Sequence, residues 1–203
     1  SVCDRFHKNT RWALRQAQKF DVKVVKSRKS ADMRLYYNLH CHTRKRHGVP
    51  PQPWRFFENI DRYFIQKNKG NLFFATVNNQ LVAGEVILHF GHTAYEKFNA
   101  SLIEYQHYRV NNLLQWEVIR HYSNNGFSFV DLGRTSMNNH GLLRFKNGWG
   151  ADAFTTEYYR YRLSDGAFIE MPIREEGRLT GWMKKLPLPV LRGIGQVAYR
   201  HMG

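Results

Sequence analysis

The amino-acid sequence predicts a mixed α/β fold in which a mostly antiparallel sheet is flanked by helices. Segments with apolar residues at every third or fourth position alternate with short segments rich in β-branched and aromatic residues. The pair Asn78-Asn79 lies between two of these short segments, which is typical of a tight hairpin turn. Of the 203 residues, 42% are hydrophobic and 15% aromatic, so the chain can form the core of one large domain.

The first third of the chain predicts three helices and one strand. A basic amphipathic helix comes first, because apolar side chains from Phe6 to Ala17 recur at helical spacing. Ser30 is suited to the N-cap of the second helix, Gly48 ends it, and Gly70 ends the third. The predicted ranges are helix 4–19, strand 21–26, helix 30–47 and helix 53–69.

The middle of the chain predicts a three-stranded antiparallel meander, followed by helices and strands in alternation. Gly84 lies inside the second strand, which indicates a bulge or a close approach of the backbone. Leu114, Val118 and Tyr122 form one apolar stripe of the next helix, which ends at Gly126. The predicted ranges are strands 72–77, 81–90 and 93–100, helix 111–124, strand 127–132, helix 140–147 and a long final strand 154–163.

The C-terminal part differs from the rest, because Pro187 and Pro189 interrupt two short predicted helices, 180–185 and 190–199. We expect residues 165–203 to form an arm docked on a domain of residues 1–164, whose first 20 residues contain the basic helix. Apolar residues such as Trp182 stand among basic ones here, so contact with a membrane surface is the alternative.

The chain carries a net charge of +15, and the charge is uneven. Residues 1–50 hold 13 basic and 3 acidic residues, a net of +10, which either attracts a polyanion or forms a solvated face. No helix-turn-helix or zinc-finger pattern is present, so we do not expect DNA as a partner. The polar, basic start is no signal peptide, which suggests a piece of a longer protein or a processed chain.

A family resemblance lies mainly in residues 111–161, where short motifs occur in a definite order. They are LLQWE at 113–117, GF at 126–127, DLGR at 131–134, FK at 145–146 and WG at 149–150, preceded upstream by TRKRHGVP at 43–50 and YEKFNAS at 95–101. Together, over residues 5–165, they resemble the FemAB-like branch of the GNAT acyltransferase superfamily. That branch includes transferases associated with exopolysaccharide and cellulose synthesis.

The resemblance implies a GNAT-like fold and an acyl or aminoacyl transfer in bacterial cell-envelope or exopolysaccharide synthesis, with a saccharide or peptidoglycan-type acceptor. Members usually pair two GNAT-like halves, and this chain resembles the C-terminal one, so an N-terminal half is an expected partner. The expected location is the cytoplasm, with peripheral contact at the inner face of the membrane as an option. Two alternatives stay open: an acetyl-CoA-dependent N-acetyltransferase of a sugar amine or small amine, and a non-catalytic basic half of a larger enzyme.

The acyl donor is indicated by the turn before the predicted helix 111–124. Ordinary GNAT enzymes hold the pyrophosphate of acetyl-CoA with backbone N–H groups of a glycine-containing turn that opens a helix. The corresponding turn here, YRVNN at 108–112, has no glycine, and none occurs between Gly91 and Gly126. The resemblance therefore favours aminoacyl-tRNA over acyl-CoA as donor, and we expect no other cofactor.

Three residues are candidates for the chemistry. Lys146 could stabilise a developing oxyanion or a donor phosphate, or be a surface lysine beside Trp149. Asp131, at the predicted end of a strand, could orient the nucleophile, pair with Arg134 or cap the next turn. Lys97 and Asn99 lie two residues apart on a predicted strand, so their side chains should share one face. Lys97 could therefore line a groove or lie on an exposed sheet face.

Further residues are candidates for substrate binding. Tyr95 and Asn99 should share the side of the strand that carries Lys97. The complete predicted set is Tyr95, Asn99, Arg134, Phe145, Trp149, Arg109 and Asn111. Glu85 and His89 should share a face of the strand. Either residue could act as a catalytic base, or the two could form a satisfied pair at the edge. The run from His40 to His42 is a weak zinc pattern, because neighbours on a helix point apart, so we expect no metal.

Overall fold

The computed structural model, which describes residues 2–169 and 180–200, contains a five-stranded sheet with its strands in sequence order. The first four strands are antiparallel, and the fifth is parallel to the fourth. Two further strands form a separate antiparallel hairpin. The strands are β1 (Lys23–Ser27), β2 (Gly70–Val77), β3 (Gln80–Phe90), β4 (Thr93–Ser101), β5 (Phe129–Asp131), β6 (Arg160–Arg162) and β7 (Ala167–Ile169).

Helices cover both faces of the large sheet. A π-helical turn, Asp61–Ile65, extends the third helix, and 3-10 helices occupy Val2–Arg5 and Ile103–Tyr108. The helices are α1 (Lys8–Lys19), α2 (Ser30–His47), α3 (Trp54–Ile60), α4 (Val110–Asn124), α5 (His140–Asn147), α6 (Thr180–Met183) and α7 (Leu188–Ala198). None of the described helices is long and apolar enough to cross a membrane.

The sheet separates two apolar layers. On one side, α4 packs against β2 and β3, with Phe73, Ile87 and Leu114 in the shared core, and α1 packs on α4. On the other side, α2 and α3 cover the intervening residues, among them Leu72 and Val86. Because side chains alternate along a strand, β2 and the central part of β3 can be apolar on both faces and still bury their apolar residues, whereas Phe90 at the end of β3 is exposed.

Most predicted elements are confirmed, and with them the mixed α/β fold class. The meander, the second helix with Gly48 in the left-handed region, and the short helix His140–Asn147 occur where the sequence placed them. Asn78 and Asn79 both have positive φ, as a tight hairpin turn requires. The basic residues of the first predicted helix, Arg5, Lys8, Arg11, Arg15 and Lys19, are all exposed.

Three predictions were wrong in detail. The helix predicted to be capped by Ser30 begins at that residue, whose hydroxyl donates to Asp61 instead. The third helix ends at Ile65, and Gly70 opens β2, where a Cβ would lie 2.6 Å from the carbonyl oxygen of Ile87. The long final strand 154–163 is reduced to β6, because residues 151–159 lie exposed and pair with none of the described strands.

Helix α7 is attached to α2 by specific contacts. Leu191 is fully buried, Arg192 donates to Asn38 Oδ1 at 2.9 Å, and Arg44 donates to the hydroxyl of Tyr199 at 3.0 Å. Residues 170–179 of the predicted C-terminal arm lie outside the described residues. Among those described, α7 lies against the domain on the side of α2.

Replacing Gly195 with Ala is expected to loosen α7. A Cβ there would lie 2.0 Å from the carbonyl oxygen of Pro51, so the helix must move, at a cost of about 1–3 kcal/mol. Gly193→Ala is the matched control, because a Cβ at Gly193 meets nothing within 4 Å and alanine favours the helix. Melting temperatures and limited proteolysis of both variants check this, and equal results for the two would contradict it.

Candidate functional site

Strands β4 and β5 separate beyond a short paired segment. They pair in parallel from Thr93 with Phe129 to Tyr95 with Asp131, where β5 ends while β4 continues to Ser101. The carboxyl end of β5 and the part of β4 beyond Tyr95 therefore border one opening. Openings beyond the carboxyl ends of neighbouring strands are the usual ligand sites of open α/β sheets.

A bulge in β4 decides which side chains share a face at this opening. Glu96 pairs with Ile87 and Phe98 with Val86, so Lys97, between them, has no partner in the register. The register places Glu96 and Asn99 on the same face as Glu85, and Tyr95 on the opposite one. The predicted stripe of Tyr95, Lys97 and Asn99 was therefore wrong, because the extra residue reverses the alternation.

Glu85 is a fully buried carboxyl group on β3. Its Oε1 accepts a hydrogen bond from Asn99 Nδ2, while its Oε2 is buried without a partner among the described residues. Burial, followed by the nearby charge of Glu96, raises the pKa of Glu85 well above its ordinary value. Burial therefore favours the neutral form of this carboxyl group.

Glu96, half-buried at the opening, interacts with Lys146 and Asp131. Burial raises its pKa to about 7, the ammonium group of Lys146 opposes that shift, and Asp131 adds to it. Burial in turn lowers the pKa of Lys146, which Glu96 and Asp131 raise. A carboxylate with a pKa near 7 can both accept and release a proton at neutral pH, as a general base must.

Lys146 is held at the opening by backbone oxygens. Its Nζ donates to the carbonyl oxygens of Gly133, at 2.8 Å, and Arg134, at 3.4 Å. Gly133 has a φ of +73°, and a Cβ there would lie 3.3 Å from the carbonyl oxygen of Glu96, which favours glycine in this turn. The two hydrogen bonds leave one N–H of the ammonium group for a ligand.

The other candidates of this region have mainly structural contacts. Asp131 Oδ1 accepts a hydrogen bond from Gly133 N at 2.7 Å, and so caps the turn. The guanidinium of Arg134 lies 5.3 Å from the centre of the Tyr158 ring. Trp149 is only 5% exposed and packs edge-on against Phe6, and Phe145 packs against Trp149. The proposed substrate contact by Trp149 is not supported, because its ring lies inside this cluster.

The start of α4 lies next to the end of β4. Arg109 precedes the helix in the left-handed region, with its guanidinium 5.1 Å from the centre of the Trp12 ring. Asn111 Nδ2 donates to Ser101 Oγ at 3.2 Å, but its Oδ1 is buried without a described partner. Both polar atoms of Gln115, one turn further, are equally unpartnered.

The sequence analysis did not single out Glu96 or Gln115. Glu96 stands inside the motif YEKFNAS at 95–101, but its role depends on a bulge that the sequence does not reveal. Gln115 stands among the apolar residues of α4, and a polar residue on such a stripe was the available signal.

The histidines named in the sequence analysis have structural partners. His89 lies 3.1 Å from the hydroxyl of Tyr122 and 2.8 Å from the carbonyl oxygen of Asn68, whereas Glu85 accepts from Asn99, so these hydrogen bonds do not form the predicted pair of Glu85 and His89. His40 Nε2 lies 2.7 Å from Gln52 Oε1, and burial lowers its pKa to about 4. Within residues 2–169 and 180–200, no group of three or more His, Cys, Asp or Glu side chains could hold a metal ion.

An open pocket of about 790 Å³ lies elsewhere, between α2 and the 3-10 helix before α4. His42, Tyr105 and Tyr108 are among its lining residues. Neither Glu96 nor Lys146 lines it. We assign the candidate site to the opening between β4 and β5, because the carboxylate and amine groups that could move a proton meet there.

Replacing Glu85 with Gln is expected to flatten the pH dependence of stability. Folded protein keeps a proton on Glu85 that unfolded protein releases above about pH 4.5. The stability that this bound proton contributes is therefore fully present below about pH 4.5. It is lost as the pH rises towards the raised pKa of Glu85 in the folded protein. Gln is neutral and can still accept from Asn99. Melting temperatures from about pH 4 to about pH 8 should fall less steeply in the variant, and an unchanged slope would contradict this.

Together, the mixed sheet, the separation of β4 from β5 and the carboxylate–amine cluster define a mixed α/β domain with a candidate site for proton transfer between these two strands. A family model described as "Acetyltransferase (GNAT) domain" matches residues 4–160, and the chain belongs to that family. No curated protein sequence matches the chain.

Several solved structures share the fold. FemX is 16% identical, with a TM-score of 0.66, over 73% of this chain and 55% of its own, so this chain spans about half of FemX. An aminoglycoside acetyltransferase from an uncultured soil metagenomic sample, in complex with sisomicin, is 16% identical with a TM-score of 0.57, over 71% and 98% of the chains. Aminoglycoside N-acetyltransferase AAC(6')-Iy, in complex with CoA, is 13% identical with a TM-score of 0.55, over 70% and 95%.

Proposed function

We propose that this chain transfers an acyl group from acyl-CoA to an amine on a saccharide or peptidoglycan-type acceptor, in the synthesis of the cell envelope or an exopolysaccharide. The observation that carries the proposal is Glu96, a half-buried carboxylate with a pKa of about 7 beside Lys146, at the opening between β4 and β5. The family to which the chain belongs supports an acyl transfer.

The reaction needs a base for the acceptor amine. The neutral amine attacks the thioester carbonyl carbon, a C–N bond forms, the C–S bond breaks, and the amine loses a proton. Glu96 accepts that proton and then releases it to the thiolate of CoA as the thiolate leaves, which restores the carboxylate. The free N–H of Lys146 is available to the oxyanion that develops on the carbonyl oxygen.

Different observations support the proposed donor and the proposed class of acceptor. The CoA complex of AAC(6')-Iy supports a CoA donor, with the start of α4 beside the opening as the place for its phosphates. The fold shared with FemX, together with the motifs of residues 95–150, supports a cell-envelope acceptor.

Aminoacyl-tRNA is the second candidate donor. It is favoured by the turn before α4, where Arg109 holds a left-handed conformation that glycine adopts more easily. The long side chain of Arg109 lies near the exposed basic face of α1, and together they suit a polyanionic donor. They suit less well a pyrophosphate that the backbone must approach closely.

A thermal-shift titration with acetyl-CoA and an aminoacyl-tRNA separates the two donors. We expect a saturable rise in melting temperature with acetyl-CoA, which persists at about 0.3 M salt, whereas nonspecific tRNA binding falls steeply with salt. A salt-resistant shift with aminoacyl-tRNA alone would replace the CoA proposal by the second candidate. No shift and no transfer to amine acceptors with either donor would leave the chain a non-catalytic half.

A further inference from the structure

Helix α7 presents an apolar face to the solvent. Its inner side packs on α2, and Leu191 and Gly195 are buried there. Since successive residues of a helix are about 100° apart, the residues on the far side from these two point outwards. Val190 and Val197 on that outward side are 47% and 74% exposed. The outward residues are Pro189, Val190, Gly193, Ile194 and Val197, and all of them are apolar.

The outward side of α7 differs from that of an ordinary surface helix, which shows polar side chains to water. The only polar side chains of α7 are those of Arg192 and Gln196, which lie on one flank of the helix. Arg192 donates to Asn38 on α2, so its side chain is directed towards the domain. No side chain of the outward side can donate or accept a hydrogen bond. An exposed apolar patch of this kind marks a surface that contacts a protein or a membrane.

Basic residues and a tryptophan lie at the ends of α7. Lys184 and Lys185 precede the helix and are exposed. Trp182 is 49% exposed, and its carbonyl oxygen accepts a hydrogen bond from Lys185 N at 3.0 Å, which keeps the two residues in one turn. Arg200 follows the helix. Residues 180–200 contain four basic residues and no acidic one, so their charge is complementary to an anionic lipid surface.

Basic and aromatic side chains alternate from α7 across α2 to α3. The guanidinium of Arg192 lies 5.4 Å from the centre of the Tyr37 ring, and this ring packs against that of Trp54 with centres 5.4 Å apart. The guanidinium of Arg34, which is an exposed residue, lies 3.4 Å from the centre of the Trp54 ring. Side chains of these types are suited to the headgroup region of a bilayer, because each has an apolar part and a polar or charged end.

We propose that α7 lies on the surface of a bilayer that contains anionic phospholipids. Val190 and Val197 enter the upper part of the acyl chains, and Lys184 and Lys185 contact the phosphates. The 11 residues of α7 extend roughly 16 Å, which suits a helix that lies in the interface and is about half of what crossing a ~30 Å hydrocarbon core requires.

A bilayer suits the outward side of α7 better than a specific protein partner does. A protein interface carries about one hydrogen bond per 100–200 Å², and the outward side chains of α7 can form none. A bilayer needs only apolar side chains within a basic surrounding. The opening between β4 and β5 takes no part in this docking, so the inference goes beyond the proposed acyl transfer and does not depend on it.

Vesicle co-sedimentation of the 203-residue chain tests the docking. Vesicles of equal parts phosphatidylglycerol and phosphatidylcholine should bind the protein, and phosphatidylcholine alone should bind it at least about tenfold more weakly. Val190→Gln with Val197→Gln should weaken binding to the mixed vesicles at least about tenfold, because two apolar side chains are lost while the net charge is unchanged. Phe90→Gln with Met137→Gln, which removes two exposed apolar side chains outside α7, should leave the binding unchanged.

The contribution of the lysines is measured separately. Lys184→Gln with Lys185→Gln should weaken binding to the mixed vesicles at least about tenfold, since each basic residue near an anionic surface contributes about fivefold. Binding to phosphatidylcholine alone should not change. Melting temperatures should stay at the wild-type value in all these variants, because the substituted side chains are exposed.

Three results would overturn the proposal. The first is a wild-type chain that does not bind the mixed vesicles. The second is an equal loss of binding in the α7 pair and in Phe90→Gln with Met137→Gln, or no loss in either, since the vesicles then only attract a chain of net charge +15. The third is a wild-type dimer in sedimentation experiments that Val190→Gln with Val197→Gln converts to a monomer without a change in vesicle binding, which would assign the outward side of α7 to a second copy.

Discussion

Replacing Glu96 with Gln is expected to lower the rate of acyl transfer by about 10²-fold or more, because a general base contributes about 10²–10⁴-fold. Gln has nearly the same shape as Glu but cannot accept the proton of the attacking amine. Steady-state rates with the donor identified by thermal shift measure the loss, and the binding of that donor should change little.

The pH dependence of the same reaction gives an independent measure. In the wild-type protein, kcat should rise through about pH 7 as Glu96 loses its proton, since only the carboxylate can act as a base. This acidic limb should be absent from the residual activity of Glu96→Gln. Glu58→Gln is the control, because Glu58 is an exposed carboxylate on α3, away from the opening. A Glu96→Gln variant with a normal rate and an unchanged pH profile would remove Glu96 from the chemistry.

The sequence predicts the parts of the fold that depend on local signals. Turn residues such as Asn78-Asn79 and Gly48 have backbone conformations with strong residue preferences, and the apolar stripe of α4 identifies its buried face. These features need no knowledge of the rest of the chain, and the predicted meander, α2 and α4 agree with the structure within a few residues.

The site was less predictable, because it depends on contacts between distant residues. Simple alternation placed Lys97 with Asn99, but the register between β3 and β4 shifts at Lys97 and brings Glu96 to the face of Glu85. The aromatic segment 154–163 has the composition of a strand, yet strand formation requires a partner, and most of the segment pairs with no strand in the described part of the chain. Lys146 was identified by its position after a strand, and its contacts with Gly133 and Arg134 appear only in three dimensions.

Replacing Lys146 with Ala is expected to lower the rate at least about tenfold, since the loss of one oxyanion donor typically costs about 10²–10³-fold. The fold should persist, because Lys146 is half-buried and binds only two carbonyl oxygens of a surface turn. Lys146→Arg should restore little activity, because a planar guanidinium does not replace a compact ammonium between these carbonyls. Arg144→Ala, an exposed cation on the same helix, is the control.

The pH profile distinguishes a role in the chemistry from a role in holding the turn. The ammonium group of Lys146 lowers the pKa of Glu96, so its removal should raise that pKa and move the acidic limb of the rate to higher pH. Loss of the turn alone would lower the melting temperature and the rate without moving the limb towards higher pH. Rates from about pH 5 to about pH 9, measured beside melting temperatures, therefore separate the two roles. A normal rate in Lys146→Ala would make this residue a surface lysine beside a packed tryptophan.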